Sequence, residues 1–410
     1  MLTRRAATVL LTGIAAAPSG ARGASPRPAA VFYNAVGPDL TCWHPDFDNA
    51  ALSRRDGVTL PALVQYAWRH PAKLILYVAS SNFVPMGGPD GKHHLTAFTI
   101  DPDTGSLRQF GASVPIRARP IHISVDSGGN WLLTAYNLPS AMSVHPLDSD
   151  GAIGAEVKQA AAIDCGIYAH QVRMMPANRS LVLVTRGNDA TAAKPEDPGA
   201  LKVKALKSGQ ITDIASVAPG SGLGFGPRHV DFHPTKPWMY VSVERQNQLQ
   251  MYRLRGDDLE TAPAYVATTL SEPTPRPVQM AGPIHLHPNG RFVYIANRAS
   301  GLIETGGRKT AAGGENTVAI FSINQATGEP TLTQAVDTHG FHPRTFSIDP
   351  SGRMLVVANL QEMPVGDGTK IQPATLSAYK IGDGGSLTFV RAYDIETKGL
   401  TQWWSGFIPL

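Results

Sequence analysis

The sequence predicts an all-β fold, a seven-bladed β-propeller of four-stranded antiparallel blades. Three observations carry that prediction. A hairpin unit returns six times, with its turn at 71, 127, 176, 234, 288 and 350 and a spacing of 49 to 62 residues; several strands at a period near fifty is what one propeller blade needs. Forty Gly and thirty-three Pro among 410 residues supply turns at the density of an all-β chain and argue against long helices. Finally, each end of the chain carries one strand pattern without its partner, so joining the ends completes a seventh blade.

In chain order, Val31-Phe-Tyr-Asn-Ala-Val36 reads as a second strand with no first strand before it. The hairpins then turn at His70-Pro-Ala-Lys73, Asp126-Ser-Gly-Gly-Asn130, Met175-Pro-Ala-Asn178, His233-Pro-Thr-Lys-Pro237, His287-Pro-Asn-Gly290 and Asp349-Pro-Ser-Gly352. Each runs back through a β-rich strand such as Trp238–Val243, whose branched and aromatic residues suit a pleated surface. Third strands follow at 95–100, 249–254, 317–323 and 376–381, most leading into turns such as Asp101-Pro-Asp-Thr-Gly105. Ser405-Gly-Phe-Ile-Pro409 reads as a first strand with nothing after it. Pairing it with 31–36 closes the ring and hides two sheet edges. Residues 31–410 are therefore expected to form a single propeller domain, with 42% hydrophobic residues to pack it.

Residues 1–23 are expected to be an export signal rather than part of the fold. Arg4-Arg5 precedes an apolar run from Ala6 to Ala17, and Ala21-Arg-Gly23 offers small residues for cleavage. The paired arginines resemble a twin-arginine signal, with Sec export the other route, and the run is too short to span a bilayer. Cleavage removes Arg4, Arg5 and Arg22, and the formal charge falls from +4 to +1. No reason then remains to expect nucleic acid or a membrane as partner. The expected address is the periplasm, and the expected state a monomer or weak oligomer. Cys42 and Cys165 lie in different repeats, and nothing in the sequence pairs them.

Because the repeats align, equivalent rim positions can be compared. Six residues before each turn anchor stand His170, Arg228 and Arg344, against Ile121 and Gly282; ten residues after it stand Arg186, Glu244 and Arg298, against Ser81, Asn137 and Leu360. First strands line a propeller's channel, so the charged set should converge on one mouth. Apolar and small residues in the other blades show that the fold does not demand charge there. Such a mouth is anion-binding: arginine forks suit carboxylate or phosphate oxygens and a developing oxyanion. Glu244 and His170 are the available proton-transfer groups.

Other chemistries lack their residues. There is no Gly-x-Ser-x-Gly, no Cys-x-x-Cys-His, and Gly220-Ser-Gly-Leu-Gly-Phe-Gly226 precedes a strand rather than a helix. His93-His94 is expected in a loop. His285 and His287 share one strand face, yet His287 fills the turn position of His70 and His233, so the repeat explains it better than a metal does. No metal and no cofactor are expected.

The stretch Gly226-Pro-Arg-His-Val-Asp-Phe-His-Pro234, with Tyr240-Val-Ser-Val-Glu244, resembles the seven-bladed lactonase propellers. That group includes bacterial 6-phosphogluconolactonase and fungal 3-carboxy-cis,cis-muconate lactonizing enzyme. Further matches are Ala169-His-Gln-Val172, Ala296-Asn-Arg298, His342-Pro-Arg-Thr-Phe-Ser-Ile-Asp-Pro350 and Ala358-Asn359. The resemblance implies a catalytic set of His170, Arg228, Glu244 and Arg298; Arg186, Arg344 and His229 are expected to bind substrate at the same mouth. Where the family often has an acid-bearing run, this chain has Thr185-Arg-Gly-Asn-Asp189, and Arg298 lies beside an insertion from Ser300 to Asn316. The implied activity is hydrolysis of the ester of a small anionic or polyhydroxylated lactone. Export argues against the phosphorylated sugar lactone of the cytosol. The alternatives are a muconate-type cycloisomerase using the same residues, and a non-catalytic propeller that binds an anion or partner at its mouth.

Overall fold

The computed structural model describes residues 29–82, 91–272 and 278–410; the expected signal segment lies outside them. Seven antiparallel sheets follow one another round a ring. The first blade is Leu63–Arg69, Ile75–Ser81, His93–Ile100 and Leu107–Pro115, so His93-His94 opens a strand instead of lying in a loop. The second is Pro120–Val125, Trp131–Asn137 and Ser140–Pro146. An irregular segment flanks its outer strand through Val157 N–H donating to the Val144 carbonyl at 2.8 Å. The third is Ala169–Met174, Ser180–Thr185, Ala200–Lys207 and Gln210–Val217, and the fourth begins Pro227–Phe232, Trp238–Val243, Gln248–Arg255. Gln279–Leu286, Phe292–Ala299, Thr317–Ile323 and Pro330–Asp337 make the fifth; Pro343–Ile348, Met354–Asn359, Thr375–Ile381 and Leu387–Asp394 make the sixth.

The seventh blade closes the ring as the termini require. Gln402–Pro409 pairs antiparallel with Ala30–Val36, followed by Asp39–Asp46 and Ala51–Thr59. Gln402 fastens this blade to the sixth: its buried amide donates to the Asn359 carbonyl at 2.6 Å and accepts from Asn34 at 2.9 Å.

The core lies between blades. Second strands are covered on both faces, which is why Ser180–Thr185 and Trp238–Val243 are buried throughout and read as continuous apolar runs. Val182 and Val184 of the third blade pack against Val230, Met239 and Val241 of the fourth. Truncating one such residue, for example Val241→Ala, removes methyls that the rigid neighbouring sheets cannot replace and costs on the order of 2 kcal/mol.

Polar staples repeat with the same period. Tyr77, Tyr240 and Tyr294 each donate their hydroxyl to a glycine carbonyl in the following blade, at Gly151, Gly328 and Gly385, over 2.7–2.8 Å. The turn histidines do likewise, His233 to the Gly290 carbonyl and His287 to the Gly352 carbonyl, both at 2.9 Å. His287 is thus a blade-to-blade clip. The insertion after Ala299 is a ribbon of Leu302–Thr305 and Arg308–Ala311, near a second ribbon of Met363–Val365 and Lys370–Gln372.

Candidate active site

One backbone device builds the site. Every first strand carries a register irregularity against its second strand, at the position six residues before the turn anchor or its neighbour. A bulge leaves one residue out of the ladder and re-aims its side chain. The unpaired residues are Gln65, Ile121, His170, Arg228, the Gly282-Pro283 pair, Arg344 and, in the closing blade, Trp403. All but Gly282 line the two connected channel cavities, of about 190 and 20 Å³.

The wider cavity is lined by Arg119, Ile121, Tyr168, His170, Arg186, Glu244, Arg344 and Trp403, and Arg228 and His229 line the narrower one. Glu244 directly follows the strand Trp238–Val243 and accepts from Arg298 Nη2 at 2.6 Å, with Arg186 Nη1 at 3.8 Å from its other oxygen. Arg298 also donates to the Ala281 carbonyl at 2.9 Å and lines neither cavity. Its path explains Gly282: a Cβ there would lie 3.0 Å from Arg298 Nε and 2.8 Å from the Ala296 carbonyl oxygen. Arg228 is 2% exposed; it donates to His229 Nδ1 at 3.2 Å, and its Nε has no partner among the described residues. Because arginine only donates, His229 is neutral with its proton on Nε2.

The electrostatics follow from five guanidiniums around one buried carboxylate. Burial acts to raise the Glu244 carboxyl, but Arg298, Arg228 and Arg186 outweigh it and hold the group below its usual range. Burial first, and then Arg228, Arg344, Arg186 and Arg298, push the His170 imidazole well below its ordinary value. Glu244 is therefore ionised and His170 neutral at neutral pH. Burial and mutual repulsion also pull Arg228 and Arg344 below the guanidinium range.

All seven residues singled out in the sequence lie in this region. His170, Arg186, Glu244 and Arg344 face the wider cavity, Arg228 and His229 the inner one, and Arg298 stands behind Glu244. Further residues of the site were missed. Gln65 and Trp403 occupy the same bulge position in blades left out of the comparison. Arg119 and Tyr168 stand two residues before the bulges at Ile121 and His170. Comparing that second offset across the repeats reveals them, and also His342, whose imidazole is lowered by burial and then by Arg298 and Arg344. Among the described residues no cluster of three His, Cys, Asp or Glu side chains is arranged to hold a metal. Cys42 and Cys165 are both buried and unpaired.

Fold and mouth together define a seven-bladed propeller with a cationic channel site that holds one carboxylate and a neutral imidazole. The profile of the family described as "Lactonase, 7-bladed beta-propeller" matches residues 36–365, and the chain belongs to that family. It is 29% identical over 279 residues to a 6-phosphogluconolactonase of Bacillus subtilis, covering 66% of this chain and 71% of that one. With a 6-phosphogluconolactonase of Pectobacterium carotovorum it shares 28% identity over 358 residues, 82% of this chain and 91% of the other. The solved structure of a periplasmic gluconolactonase from Pseudomonas aeruginosa superposes with a TM-score of 0.68 over 92% of this chain and 99% of that one, at 18% identity. That last likeness is one of fold.

Proposed function

We propose that this chain is a periplasmic lactone hydrolase that opens a small polyhydroxylated lactone at the channel mouth without a metal. One observation carries the reading: a buried, neutral His170 shares a cavity of about 190 Å³ with Arg344 and Arg186, beside the buried Arg228. That volume is below the roughly 300–1,000 Å³ of drug-sized pockets and suits a single sugar-like ring.

In the proposed reaction water attacks the lactone carbonyl carbon while His170 takes one of its protons. The tetrahedral oxyanion forms beside Arg228, a guanidinium already in place whose Nε has no partner among the described residues. The ring C–O bond then breaks, His170 returns its proton to the departing oxygen, and a hydroxy acid leaves. Glu244 is committed to Arg298 at 2.6 Å and faces Arg186, whereas His170 Nδ1 has no partner among the described residues. We therefore give the proton transfers to His170, and assign Glu244 and Arg298 to holding the arginine cluster in position. The periplasmic address rests on the Arg4-Arg5 and apolar pattern of the N-terminal sequence, and a monomer or weak oligomer suffices for this chemistry.

The test is proton release at constant pH from a panel of sugar and aromatic-derived lactones. His170→Ala should lower kcat by about 10²–10⁴, and a chelator should leave turnover unchanged. Turnover abolished by chelation, or retained in His170→Ala, defeats the mechanism. A product isomeric with its substrate, with no net uptake of water, points to a cycloisomerase.

A further inference from the structure

The cavity carries more positive charge than lactone opening needs, and the surplus sits on one wall. Arg344 makes no hydrogen bond or close ion pair among the described residues; its guanidinium carbon stands 4.1 Å from the centre of the Trp403 ring. Arg119 stands 5.2 Å from the same ring and is braced by Nε donating to Gln65 Oε1 at 2.7 Å. Both arginines and the tryptophan line the wider cavity. Gln65 and Trp403 are bulge residues of adjoining blades, the first and the seventh, so one corner of the mouth is made by these four side chains.

Two like charges drawn onto a single indole repel each other. A ring face offsets only part of that cost. Glu244 is held by Arg298 at 2.6 Å, and Arg344 has no carboxylate of its own among the described residues. A guanidinium held against a ring by its carbon keeps its N–H fork for a ligand, and that fork matches a planar carboxylate through two parallel hydrogen bonds.

Building on the lactonase reading, we propose that the Arg344–Trp403–Arg119 corner is a separate oxyanion subsite that takes a second, free carboxylate on the lactone. The substrate class is then a sugar-acid lactone carrying a carboxylate in place of its terminal hydroxymethyl group. Hydrolysis of such a lactone yields a dicarboxylate, so the enzyme acts after a reaction that oxidises the terminal carbon.

The test uses a matched pair. D-glucaro-1,4-lactone and D-glucono-1,4-lactone share a ring and differ in a carboxylate against a hydroxymethyl group, and 6-phospho-D-gluconolactone presents the competing oxyanion. The expected result is that the glucaro-lactone has the highest kcat/KM. Arg344→Gln and Arg119→Gln should each raise its KM by about 10- to 150-fold, the value of a hydrogen bond to a charged group. KM for the glucono-lactone should change less than about threefold, because that substrate lacks the group recognised. Arg344→Lys should restore only part of the loss, a point charge lacking the fork. Thermal unfolding of Arg344→Gln should match the parent or rise, since a repelling cation is removed. Equal effects on both lactones, or a preference for the phosphorylated one, overturn the carboxylate subsite. Should no lactone be turned over, calorimetric binding of D-glucarate against D-gluconate still decides it: weaker binding of glucarate alone in Arg344→Gln supports the subsite, and unchanged glucarate binding refutes it.

Discussion

Glu244→Gln is the most informative single change, because the assigned role of this carboxylate is to compensate charge. Its oxygens lie 2.6 Å from Arg298 and 3.8 Å from Arg186, and both Arg298 and Glu244 are buried. Glutamine keeps the size and one acceptor but leaves five guanidiniums with no buried acid. Removing one partner of a buried pair costs about 3–5 kcal/mol, because the other charge is stranded. At about 2.1 cal/mol/K per residue, a 410-residue chain unfolds with an entropy of roughly 0.9 kcal/mol/K, so Tm should fall by about 3–6 °C. Differential scanning calorimetry in low-salt buffer reads this directly. Sulfate at increasing concentration should return most of the loss in the variant and give a smaller gain in the parent, since an anion binding only the native state stabilises it by mass action. The parent's own term has a defined pH window: the Glu244 carboxyl is lowered in the fold, so its contribution is present above about pH 4.5 and lost as pH falls through the lowered folded value. A Glu244→Gln protein that unfolds within a degree of the parent, or that sulfate does not rescue, refutes the compensating role.

Other expectations concern protons and thiols. With His170 held below its ordinary 6.5 by burial and four arginines, kcat/KM should stay level as pH drops from 8 through 6.5, with its acid limb lower still. In Arg228→Gln that limb should move up toward 6.5, as the largest single charge depressing His170 is gone; an unmoved limb assigns it to another group. His122, His170, His229 and His342 are all lowered in the fold, burial first. The unfolded chain therefore takes up their protons below pH 6.5, and stability should fall there by up to roughly 5 kcal/mol per pH unit, about 1.4 from each. Other lowered imidazoles, among them His145 and His285, add to the slope; urea midpoints at pH 7, 6 and 5 check this, and His122→Gln should remove the share of one proton from it. Burial raises the Cys42 thiol to about 12 and Cys165 to about 11. Neither should react with Ellman's reagent at pH 8 in the folded protein, and both should on unfolding.

The fold was legible because its turns are periodic. Four His-Pro or Asp-Pro turns, with Met175-Pro and Asp126-Ser-Gly in the same place and a largely apolar strand after each, marked six hairpins, and two orphan strands at 31–36 and 405–409 left only one way to close the ring. The outer edges were less legible. Alternation there is one-sided and loops vary, so the irregular cover of the second blade and the ribbon after Ala299 had no repeat to reveal them. His93-His94 was misplaced for a related reason. Histidine is a poor strand signal, and what places this pair on a strand is its register opposite Ser80 and Ser81 of the preceding strand, visible only once the sheet exists.

The site was legible for a different cause. A bulge at a fixed offset in every blade turns seven unrelated loci into one ring of side chains, so an alignment of repeats within a single chain reports which residues meet in space. The ring also shows how little of this chemistry the fold requires. Its positions accept Gln65, Ile121, Gly282 and Trp403 as readily as His170, Arg228 and Arg344. Burying several like charges at permissive positions lowers stability unless something negative joins them. Glu244 is one such group and is committed to Arg298 and Arg186. The charge remaining on Arg228 and Arg344 therefore marks where a ligand must be negative, once at the reacting carbonyl and once at its far end.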